Sequence, residues 1–286
     1  MPSVSACPLC ETSSAFELAY HKAGIPIYRC RGCGVGKAEP EQFDAAAYYD
    51  SSYFNGGRSD GYSDYVQARD VLHAQFRQDI ALLKRLGAGS GHLVELGCAY
   101  GYFLDEAKAS SYLVSGVELC EDAVKNCNAR GLNDVHHGEV SKEALSQFSE
   151  ADVVVLLDVI EHLPDPVASI GAAASTLKAG GLLLMTTGDF SSVVAKITGS
   201  NWRLMTPPQH LWFFTPKSLE ALCDRMGLDL VHLDHPWKKV PIGLIAYQLL
   251  RYLSLRPSLP GWMHRVGIPV NLFDAMRLVF RKREAA

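Results

Sequence analysis

The stretch from His92 to Gly101, taken together with Glu118, constrains the fold of this chain more than any other part of it. The stretch begins as a short apolar run, turns through small residues, and continues from Tyr102 into a helical pattern. A second apolar run, 112–118, then ends on the carboxylate of Glu118. This order predicts a βαβ unit in which a ligand lies against backbone amides at the N-terminus of a helix. A carboxylate at the tip of the second strand suits hydrogen bonds from a ribose diol.

The small-residue turn decides between two ligands that contain a ribose. A dinucleotide requires glycine at the first, third and sixth turn positions, because its pyrophosphate presses on the backbone. Those positions are Gly97, Ala99 and Tyr102, and Glu95 just before the turn would repel a pyrophosphate. The same carboxylate would attract the ammonium group of an amino-acid ligand, which favours S-adenosylmethionine (SAM). At this point the residues resemble the class I SAM-dependent methyltransferases.

A second motif of that family follows a central strand. The run 152–158 is apolar between its two acids, which is typical of the middle of a parallel sheet. It leads into Asp158-Val-Ile-Glu-His-Leu-Pro-Asp-Pro166, and many class I methyltransferases have an almost identical Glu-His-Leu-x-Asp-Pro. This exit lies where open α/β sheets bind ligands. The two motifs make the chain similar to that family over residues 62–283, with a core like that of the ubiquinone-biosynthesis O-methyltransferases.

The resemblance implies an α/β fold, namely a Rossmann-like, seven-stranded, mostly parallel sheet with helices on both faces. Helices are predicted from Ser63 or Asp64 to Leu86, and over 121–130, 167–177 and 215–227. Strands are predicted at 135–139, 182–187, 228–235 and 274–282, the last of them antiparallel.

The resemblance also implies which residues meet SAM. Around the first turn these are Glu95, Gly97, Cys98, Ala99, Gly101, Tyr102 and Phe103. Farther along they are Glu118 and Leu119 after the second strand, Glu139 near the adenine, and Asp158, Val159 and His162 in the second motif. In similar methyltransferases an arginine near the position of Arg77 reaches the carboxylate of SAM. A solvated surface arginine is the alternative at this position.

The N-terminal part contains two Cys-x-x-Cys pairs, Cys7/Cys10 and Cys30/Cys33. Each pair is a turn that directs two thiolates at one point, and two pairs complete the closed four-cysteine geometry of structural zinc. A redox pair is the rival interpretation of a single Cys-x-x-Cys, but two pairs in so short a span favour metal. We therefore expect a zinc ribbon over residues 1–40, in which the metal holds a segment too small to fold alone.

Composition bounds the partners and the compartment. The chain has 286 residues and a net charge of −4, so no basic field attracts nucleic acid, and no nucleic-acid partner is expected. A ribbon-guided methyltransferase of RNA or protein is the alternative, which the balanced charges of the ribbon do not favour. Eight scattered cysteines do not resemble a secreted disulfide framework, and the N-terminus has no signal pattern. These features predict a cytoplasmic protein.

Two segments are predicted to shape the acceptor side of the main domain, 62–286. Residues 41–61, rich in tyrosine and glycine, indicate a lid or linker loop. The insertion 188–214 would carry specificity, with Trp202, Trp212 and Phe213 as walls of a pocket for a flat or hydrophobic acceptor. A packed loop core is the alternative role of these aromatic residues.

A second insertion, 236–265, contains a mostly apolar run at 240–255. Pro241, Gln248 and Arg251 interrupt the run, and it is shorter than the ~20 apolar residues that span a bilayer, so no transmembrane segment is expected. A lipid-facing helix would make peripheral membrane contact. Burial against the sheet or a partner subunit is the favoured interpretation, and the chain would be a monomer or a homodimer.

The chemistry follows from the reactivity of the SAM sulfonium. Catalysis consists mainly of aligning the methyl group with its acceptor and excluding water. A hydroxyl acceptor must lose its proton, and histidine is the natural base. His210 in the long loop is slightly favoured over His162 in the second motif. The expected acceptor is a hydroxyl, or an amine or carbon, of a small molecule such as a sugar, a phenol, a quinone precursor or a natural-product intermediate.

A magnesium ion is a further hypothesis for the second motif. Asp158, Glu161 and His162 repeat the acid-x-x-acid-His order of the ubiquinone-biosynthesis O-methyltransferases, which are thought to place a divalent ion there. Magnesium prefers oxygen ligands, and a catechol-like acceptor would supply two more. The alternative is that Glu161 and His162 only shape the loop. A non-catalytic SAM-binding scaffold is a third hypothesis, against which the intact Glu95, Glu118 and His162 argue.

Overall fold

The computed structural model describes residues 6–12, 16–44, 48, 69–243, 246, 260 and 262–284. In its N-terminal part three strands form an antiparallel sheet, β1 Phe16–Lys22, β2 Ile25–Cys30 and β3 Gly36–Ala38. Ala23 and Gly24 have φ values of 51° and 79°, as in two-residue turns that join paired strands. The predicted lid, 41–61, lies mostly outside the described residues, and so do Ser63 and Asp64.

The rest of the chain alternates strands and helices. In order these are α1 Arg69–Arg85, β4 Gly91–Leu96, α2 Tyr102–Ala109, β5 Tyr112–Glu118, α3 Glu121–Ala129, β6 Val135–His137, α4 Lys142–Leu145, β7 Ala151–Leu157, α5 Pro166–Thr176 and β8 Leu177–Gly188. They continue as α6 Val193–Thr198, β9 Trp212–Phe213, α7 Pro216–Arg225, β10 Leu228–Asp234, β11 Lys238–Pro241, α8 Trp262–Arg265, β12 Gly267–Val270 and β13 Ala275–Lys282. A 3₁₀ turn spans Ile160–His162.

Seven of these strands form one sheet, in the order β10-β13-β8-β7-β4-β5-β6. β4 pairs in parallel with β5 and β7, whereas β13 is antiparallel to both of its neighbours. From β4 the chain adds β5 and β6 on one side of the sheet, and it then returns to add β7 and β8 on the other side of β4. Such a reversal is the topological switch point at which open α/β sheets bind ligands. The predicted seven-stranded, mostly parallel, Rossmann-like sheet is confirmed.

Hydrophobic clusters lie on both faces of the sheet. One cluster packs α1 and α2 against it through side chains such as Phe76 and Phe103. The other packs α5 and α7 against it and also contains Leu9 and Val35 of the N-terminal ribbon. The ribbon therefore shares a core with the main domain, which is how a segment of its size buries apolar surface.

The long loop supplies a strand to the ribbon. β9 pairs with β3 in an antiparallel register that opposes Gly36 to Phe213 and Lys37 to Trp212, so the ribbon sheet runs β1-β2-β3-β9. A Cβ on Gly36 would lie 2.9 Å from Cε1 of Phe190, so this close approach requires glycine. The ribbon, 1–40, and the insertion 188–214 thus share one sheet.

Some boundaries differ from those predicted. β6 ends at His137 rather than at residue 139. β8 is longer than the predicted 182–187, because its first residue, Leu177, already pairs with Ala151 of β7 and its last, Gly188, pairs with Ala275 of β13. α1 ends at Arg85, within one residue of the prediction.

After β10, β11 pairs antiparallel with β12 in a two-stranded sheet, and α8 lies between these two strands in the chain. Most of the apolar run 240–255, including Arg251, lies outside the described residues. Within the parts of the chain that the structure describes, no helix is both long enough and apolar enough to cross a membrane.

Candidate active site

The turn after β4 lies at the switch point between β4 and β7. Gly97 has a φ of +72°, and a Cβ there would lie 2.7 Å from Cγ2 of Val159, which follows β7. Gly101 has a φ of +70°, and a Cβ there would lie 2.6 Å from Cδ1 of Leu132. Glycine is required at both positions by the backbone conformation and the close approach. The two motifs that the sequence presents separately thus meet at the switch point.

Glu118 ends β5 and its carboxylate faces this turn. Oε2 accepts a hydrogen bond from the backbone N–H of Ala99 at 2.7 Å, and Oε1 accepts one from Cys120 at 2.8 Å. The side chain is buried, and this burial raises its pKa while the backbone donors oppose the rise. The carboxylate therefore connects the tip of β5 to the turn after β4, the position that a ribose diol would need.

Glu95, in β4, is the residue that tests whether this site fits SAM. It is 4% exposed, and among the described residues its Oε2 has no hydrogen-bond partner. Burial, reinforced by the nearby Cys127 and Glu118, raises its pKa well above the ordinary value. A buried carboxylate oxygen without a donor is costly. The ammonium group of SAM would neutralise it, so the residues of this site fit SAM.

The first turn of α2 provides amide donors at the same place. Its N-cap residue is Gly101, which offers no side-chain cap. Cys98, Tyr102 and Phe103 are buried around the turn. Arg130 donates to the carbonyl of Tyr100, which further holds the turn in position. Backbone amides at a helix start favour a negatively charged or electron-rich group of a ligand.

The structure pairs Arg77 with a protein carboxylate rather than with the turn. Its Nη1 donates to Oε1 of Glu106 at 2.8 Å, and its side chain is 59% exposed. The same Glu106 oxygen contacts Nδ1 of His73 at 2.7 Å. Arg77 is thus a surface ion pair, which corresponds to the alternative role that the sequence left open.

The predicted adenine side lies next to Glu118. The backbone N–H of Gly138 donates to the carbonyl of Glu118 at 2.9 Å, and Glu139 follows it as an exposed residue. Leu119 accepts a hydrogen bond at its carbonyl from Nε2 of His137 at 2.9 Å. Glu139 and Leu119 therefore lie at the same edge of the sheet as the ribose position.

The three aromatic residues predicted to wall an acceptor pocket are packed in the interior instead. Trp202 is 1% exposed, stacks on Phe190 at 5.9 Å, and donates its Nε1–H to Oδ2 of Asp274 at 2.9 Å. Trp212 and Phe213 are buried where β9 joins the ribbon. Their apolar area is already covered by protein, so we correct the pocket-wall role to a packed loop core.

His162 and His210 lie edge to face, with ring centroids 4.6 Å apart. Nδ1 of His162 contacts the carbonyl of Gln209 at 2.8 Å, and Nδ1 of His210 contacts the carbonyl of Leu204 at 2.8 Å. A carbonyl oxygen only accepts, so each Nδ1 carries the proton and each neutral ring has its lone pair on Nε2. The structure thus brings both predicted bases together with the same tautomer.

The pair is close to the SAM turn and its rings are neutral. His162 donates its backbone N–H to the carbonyl of Val159 at 2.9 Å, and Val159 faces Gly97. Burial, together with the neighbouring His162, lowers the pKa of His210 to about 3, and burial also lowers the pKa of His162. Neutral imidazoles therefore persist well below pH 7.

The donor set around this pair is not the one predicted for magnesium. Ligand atoms of Glu161, His162 and His210 lie within 4.8 Å of one another. Asp158 is outside that group, and its Oδ1 accepts a hydrogen bond from Oγ1 of Thr186 at 2.9 Å. Two imidazoles and one carboxylate are unlike the oxygen ligands that magnesium prefers. The structure therefore gives the magnesium hypothesis no support.

Sequence analysis missed two polar residues beside the histidines. Gln209 is 6% exposed, and among the described residues its Oε1 has no hydrogen-bond partner; the same holds for Oγ1 of Thr206. Unsatisfied buried polar atoms are rare in folded proteins and mark places where a ligand or water belongs. Only the proximity of Gln209 and Thr206 to His210 in the chain could have indicated them.

The four ribbon cysteines converge as predicted. Their Sγ atoms all lie within 4.8 Å of one another, with 3.8 Å between Cys7 and Cys33 and 3.8 Å between Cys10 and Cys30. A tetrahedral zinc with Zn–S bonds of about 2.3 Å separates its sulfurs by about 3.8 Å. The close contact of the two thiols lowers the pKa of Cys7 and raises that of Cys33. The residues fit a four-cysteine zinc ion.

Comparison with known proteins agrees with this site. A sequence profile of the methyltransferase domain family matches residues 71–233. The ubiquinone biosynthesis O-methyltransferase of Methylococcus capsulatus is 29% identical over 187 residues, which are 61% of this chain and 76% of that protein. The enzymes of the same name from Aromatoleum aromaticum and Albidiferax ferrireducens are 24% and 28% identical over 52% and 49% of this chain. Those two matches span 69% and 60% of the relatives' lengths.

Solved structures share the fold. Magnesium protoporphyrin IX methyltransferase from Synechocystis, with bound SAH, aligns with a TM-score of 0.54 at 14% identity, over 83% of this chain and 97% of that one. A SAM-dependent methyltransferase from Archaeoglobus fulgidus aligns with a TM-score of 0.52 at 19% identity, over 75% and 94% of the two chains. Because the family profile covers more than half of its length, the chain belongs to the methyltransferase domain family and is a SAM-dependent methyltransferase.

Proposed function

We propose that this methyltransferase methylates a hydroxyl group of a small molecule, with His210 and His162 as the proton-accepting pair. The observation that carries the proposal is the shared tautomer of the two rings, in which each Nδ1–H is committed to a backbone carbonyl. The lone pair of each ring is then on Nε2, the atom that can take a proton from an acceptor.

The SAM side of the site would use the residues at the switch point. Glu95 would meet the ammonium group, Glu118 the ribose, and Glu139 the adenine. SAM, when bound, supplies an electrophilic methyl group. The protein would hold the acceptor oxygen in line with that group and exclude water from it.

The two histidines would remove the acceptor proton. The hydroxyl proton of the acceptor would pass to Nε2 of one ring, which makes the acceptor oxygen nucleophilic. Because burial lowers the pKa of His210 to about 3, the ring is neutral at pH 7, but a ring with so low a pKa is a weak base, so it suits an acidic hydroxyl such as that of a phenol. Gln209 and Thr206 would position the acceptor, because each has a buried oxygen that lacks a partner among the described residues.

A hydroxyl is supported over an amine or carbon by two features. The buried Gln209 Oε1 accepts hydrogen bonds, and an acceptor that has further hydroxyl groups would satisfy it. Several relatives are named as O-methyltransferases. We therefore propose a polyhydroxylated acceptor such as a sugar, a catechol-type phenol or a quinone precursor. Magnesium is not part of this proposal.

We also propose how the parts of the chain divide the work. Cys7, Cys10, Cys30 and Cys33 would hold a structural zinc ion in the ribbon, 1–40. Residues 62–286 would form the catalytic domain, with 188–214 and 236–265 as insertions on the substrate side. The ribbon would support catalysis through β9, which directly follows His210 and Leu211 in the chain.

The test is SAM-dependent methylation of a panel of sugars, catechols and quinone precursors, measured as release of S-adenosylhomocysteine. His210→Asn should lower kcat by roughly 10²–10⁴-fold with little change in SAM affinity. His162→Asn should affect both, because His162 is hydrogen-bonded to the residue that faces Gly97. His21→Asn, at an exposed ribbon position, is the matched control and should leave both unchanged.

A phenol series separates a base from a packing role. Phenols whose hydroxyl is already ionised at the assay pH need no base, so they should restore much of the activity of His210→Asn. A packing role would lower the rates of all phenols equally. Near-normal turnover of His210→Asn on every acceptor would refute His210 as the base.

A further inference from the structure

The structure bounds the second insertion by β10 and β13, at residues 235–274 rather than 236–265, and both of its ends lie at the ligand-binding edge of the sheet. It connects β10 to β13, and the register places Asp234 opposite Arg277 and Ala275 opposite Gly188, the last residue of β8. β8 is parallel to β7, and β7 to β4, so Gly188 is at the same carboxyl edge as the turn after β4. Both ends of this insertion therefore leave the sheet on the active-site side of the molecule.

The described part of the insertion exposes large apolar side chains. Trp237, Trp262 and Phe273 are 57%, 60% and 62% exposed. Val266, Ile268 and Leu272 are 45%, 40% and 45% exposed. The chain has four tryptophans, and both of the exposed ones are here, whereas Trp202 and Trp212 are buried. Exposed apolar side chains that cluster in one short segment mark an interaction surface.

The backbone at the end of the insertion turns an aromatic ring outward and a charge inward. Phe273 has a φ of +53°, which is uncommon for a residue with a large side chain. Its backbone N–H donates to Oδ1 of Asn271 at 2.7 Å. The next residue, Asp274, is 1% exposed and accepts hydrogen bonds from Arg203 at 2.7 and 2.9 Å. The exposed ring is thus part of an ordered turn.

The excess of basic residues in the insertion favours an anionic partner. Residues 235–274 contain five Lys and Arg and one acidic residue, the buried Asp274, although the whole chain has 27 Lys and Arg and 31 Asp and Glu. A second copy of this segment would bring like charges together. Anionic lipid headgroups complement the basic residues, and tryptophan and phenylalanine rings favour the boundary between headgroups and acyl chains.

We propose that this insertion docks the enzyme on an anionic membrane surface, with Trp237, Trp262 and Phe273 entering the headgroup layer. Each basic residue that reaches the surface would strengthen binding about fivefold, and salt would weaken it. The docking does not depend on the proposed reaction. If the proposed function holds as well, the histidine pair would face acceptors that are themselves held at the membrane.

The test is co-sedimentation of the purified 286-residue chain with vesicles, with zinc supplied and without SAM or an acceptor. Vesicles of phosphatidylcholine with phosphatidylglycerol should bind the protein, and vesicles of phosphatidylcholine alone should bind it far less. Raised salt should release it. The emission of the two exposed tryptophans should shift to shorter wavelength on binding, and Trp237→Phe/Trp262→Phe should lose most of that shift while still binding.

Trp237→Ser/Phe273→Ser should weaken vesicle binding by at least about tenfold. The matched control is Leu113→Ser/Ile197→Ser, which changes residues that are 68% and 79% exposed outside the insertion. It should bind like the unchanged protein. Thermal unfolding of both variants checks that they fold. The proposal is overturned if the protein does not bind anionic vesicles, or if both variants lose vesicle binding equally. It is also overturned if the protein self-associates in solution instead, and Trp237→Ser/Phe273→Ser abolishes that self-association.

Discussion

Lowering the pH from 7 to 5 should destabilise the fold through His210. Burial lowers the pKa of this imidazole to about 3, whereas in the unfolded chain it is about 6.5. At pH 5 the unfolded chain therefore binds a proton at this position and the folded chain does not. Because the unfolded state binds more protons, the free energy of unfolding falls as the pH falls through this window.

The magnitude follows from the two pKa values. With about 6.5 in the unfolded state and about 3 in the folded state, the free energy of unfolding loses about 2 kcal/mol between pH 7 and pH 5. The folded ring is neutral throughout this window, so a folded pKa of about 4 gives nearly the same loss. The contribution continues to fall until the pH reaches the folded pKa and is then exhausted. His162, whose pKa burial also lowers, adds in the same direction.

The measurement is urea unfolding at pH 7 and at pH 5, for the unchanged protein, His210→Asn and His21→Asn. The asparagine amide retains a donor for the carbonyl of Leu204, so the loop keeps that hydrogen bond. Glu95, whose pKa burial raises, acts in the opposite direction, but it is present in all three proteins and cancels in the comparison. The pH-dependent loss should be about 2 kcal/mol smaller in His210→Asn than in the other two. An equal loss in all three proteins would refute the buried, neutral state of His210.

Three further outcomes are expected. Cys30→Ser should release the zinc and lower the urea midpoint, because metal binding stabilises only the folded ribbon; metal analysis that still finds one zinc per chain would contradict this. Glu118→Gln should weaken SAM binding by roughly 1.5–3 kcal/mol in calorimetry, the range for hydrogen bonds to a charged group, and unchanged affinity would contradict the ribose role. Arg277→Met removes the guanidinium that lies 2.7 Å from Asp79 and 2.6 Å from Asp234, and should lower the free energy of unfolding by about 3–5 kcal/mol in urea titration. A loss within about 0.5 kcal/mol, typical of surface substitutions, would show that this buried network contributes little.

The parts of the site that sequence analysis predicted are those encoded within a few residues. The turn from Gly97 to Gly101 and the acid Glu118 belong to one βαβ unit, whose order along the chain determines its geometry. The second motif follows the apolar strand β7. In a parallel sheet the carboxyl ends of all strands lie on one side, and ligands bind there, so a motif that follows a strand lies at the ligand-binding side. Helix boundaries agree closely for the same reason, since they depend on local periodicity and caps, whereas the ends of β6 and β8 depend on pairing with other strands.

The parts that sequence analysis missed depend on contacts between distant residues. β9 has two residues and no periodic pattern, and only its pairing with β3, far away in the chain, makes it a strand. For Trp202, in a long loop, the sequence alone does not distinguish a residue that lines a pocket from one that packs on Phe190. Arg77 similarly has a carboxylate partner on α2, which no spacing in the sequence could indicate.

The pairing of β9 with the ribbon connects the four-cysteine cluster to the two proposed catalytic histidines through backbone contacts. The carbonyl of Cys33 accepts a hydrogen bond from Oγ1 of Thr215 at 2.8 Å, and the carbonyl of Leu211 accepts one from the backbone N–H of Ala38 at 2.8 Å. The backbone N–H of Leu211 in turn donates to the carbonyl of Glu161 at 2.9 Å, beside His162. A loop of this length would otherwise have to fix His210 against a large conformational entropy. With the ribbon on one side and the second motif on the other, Leu211 is held at both of its backbone polar groups, and the residue before it, His210, is placed against His162.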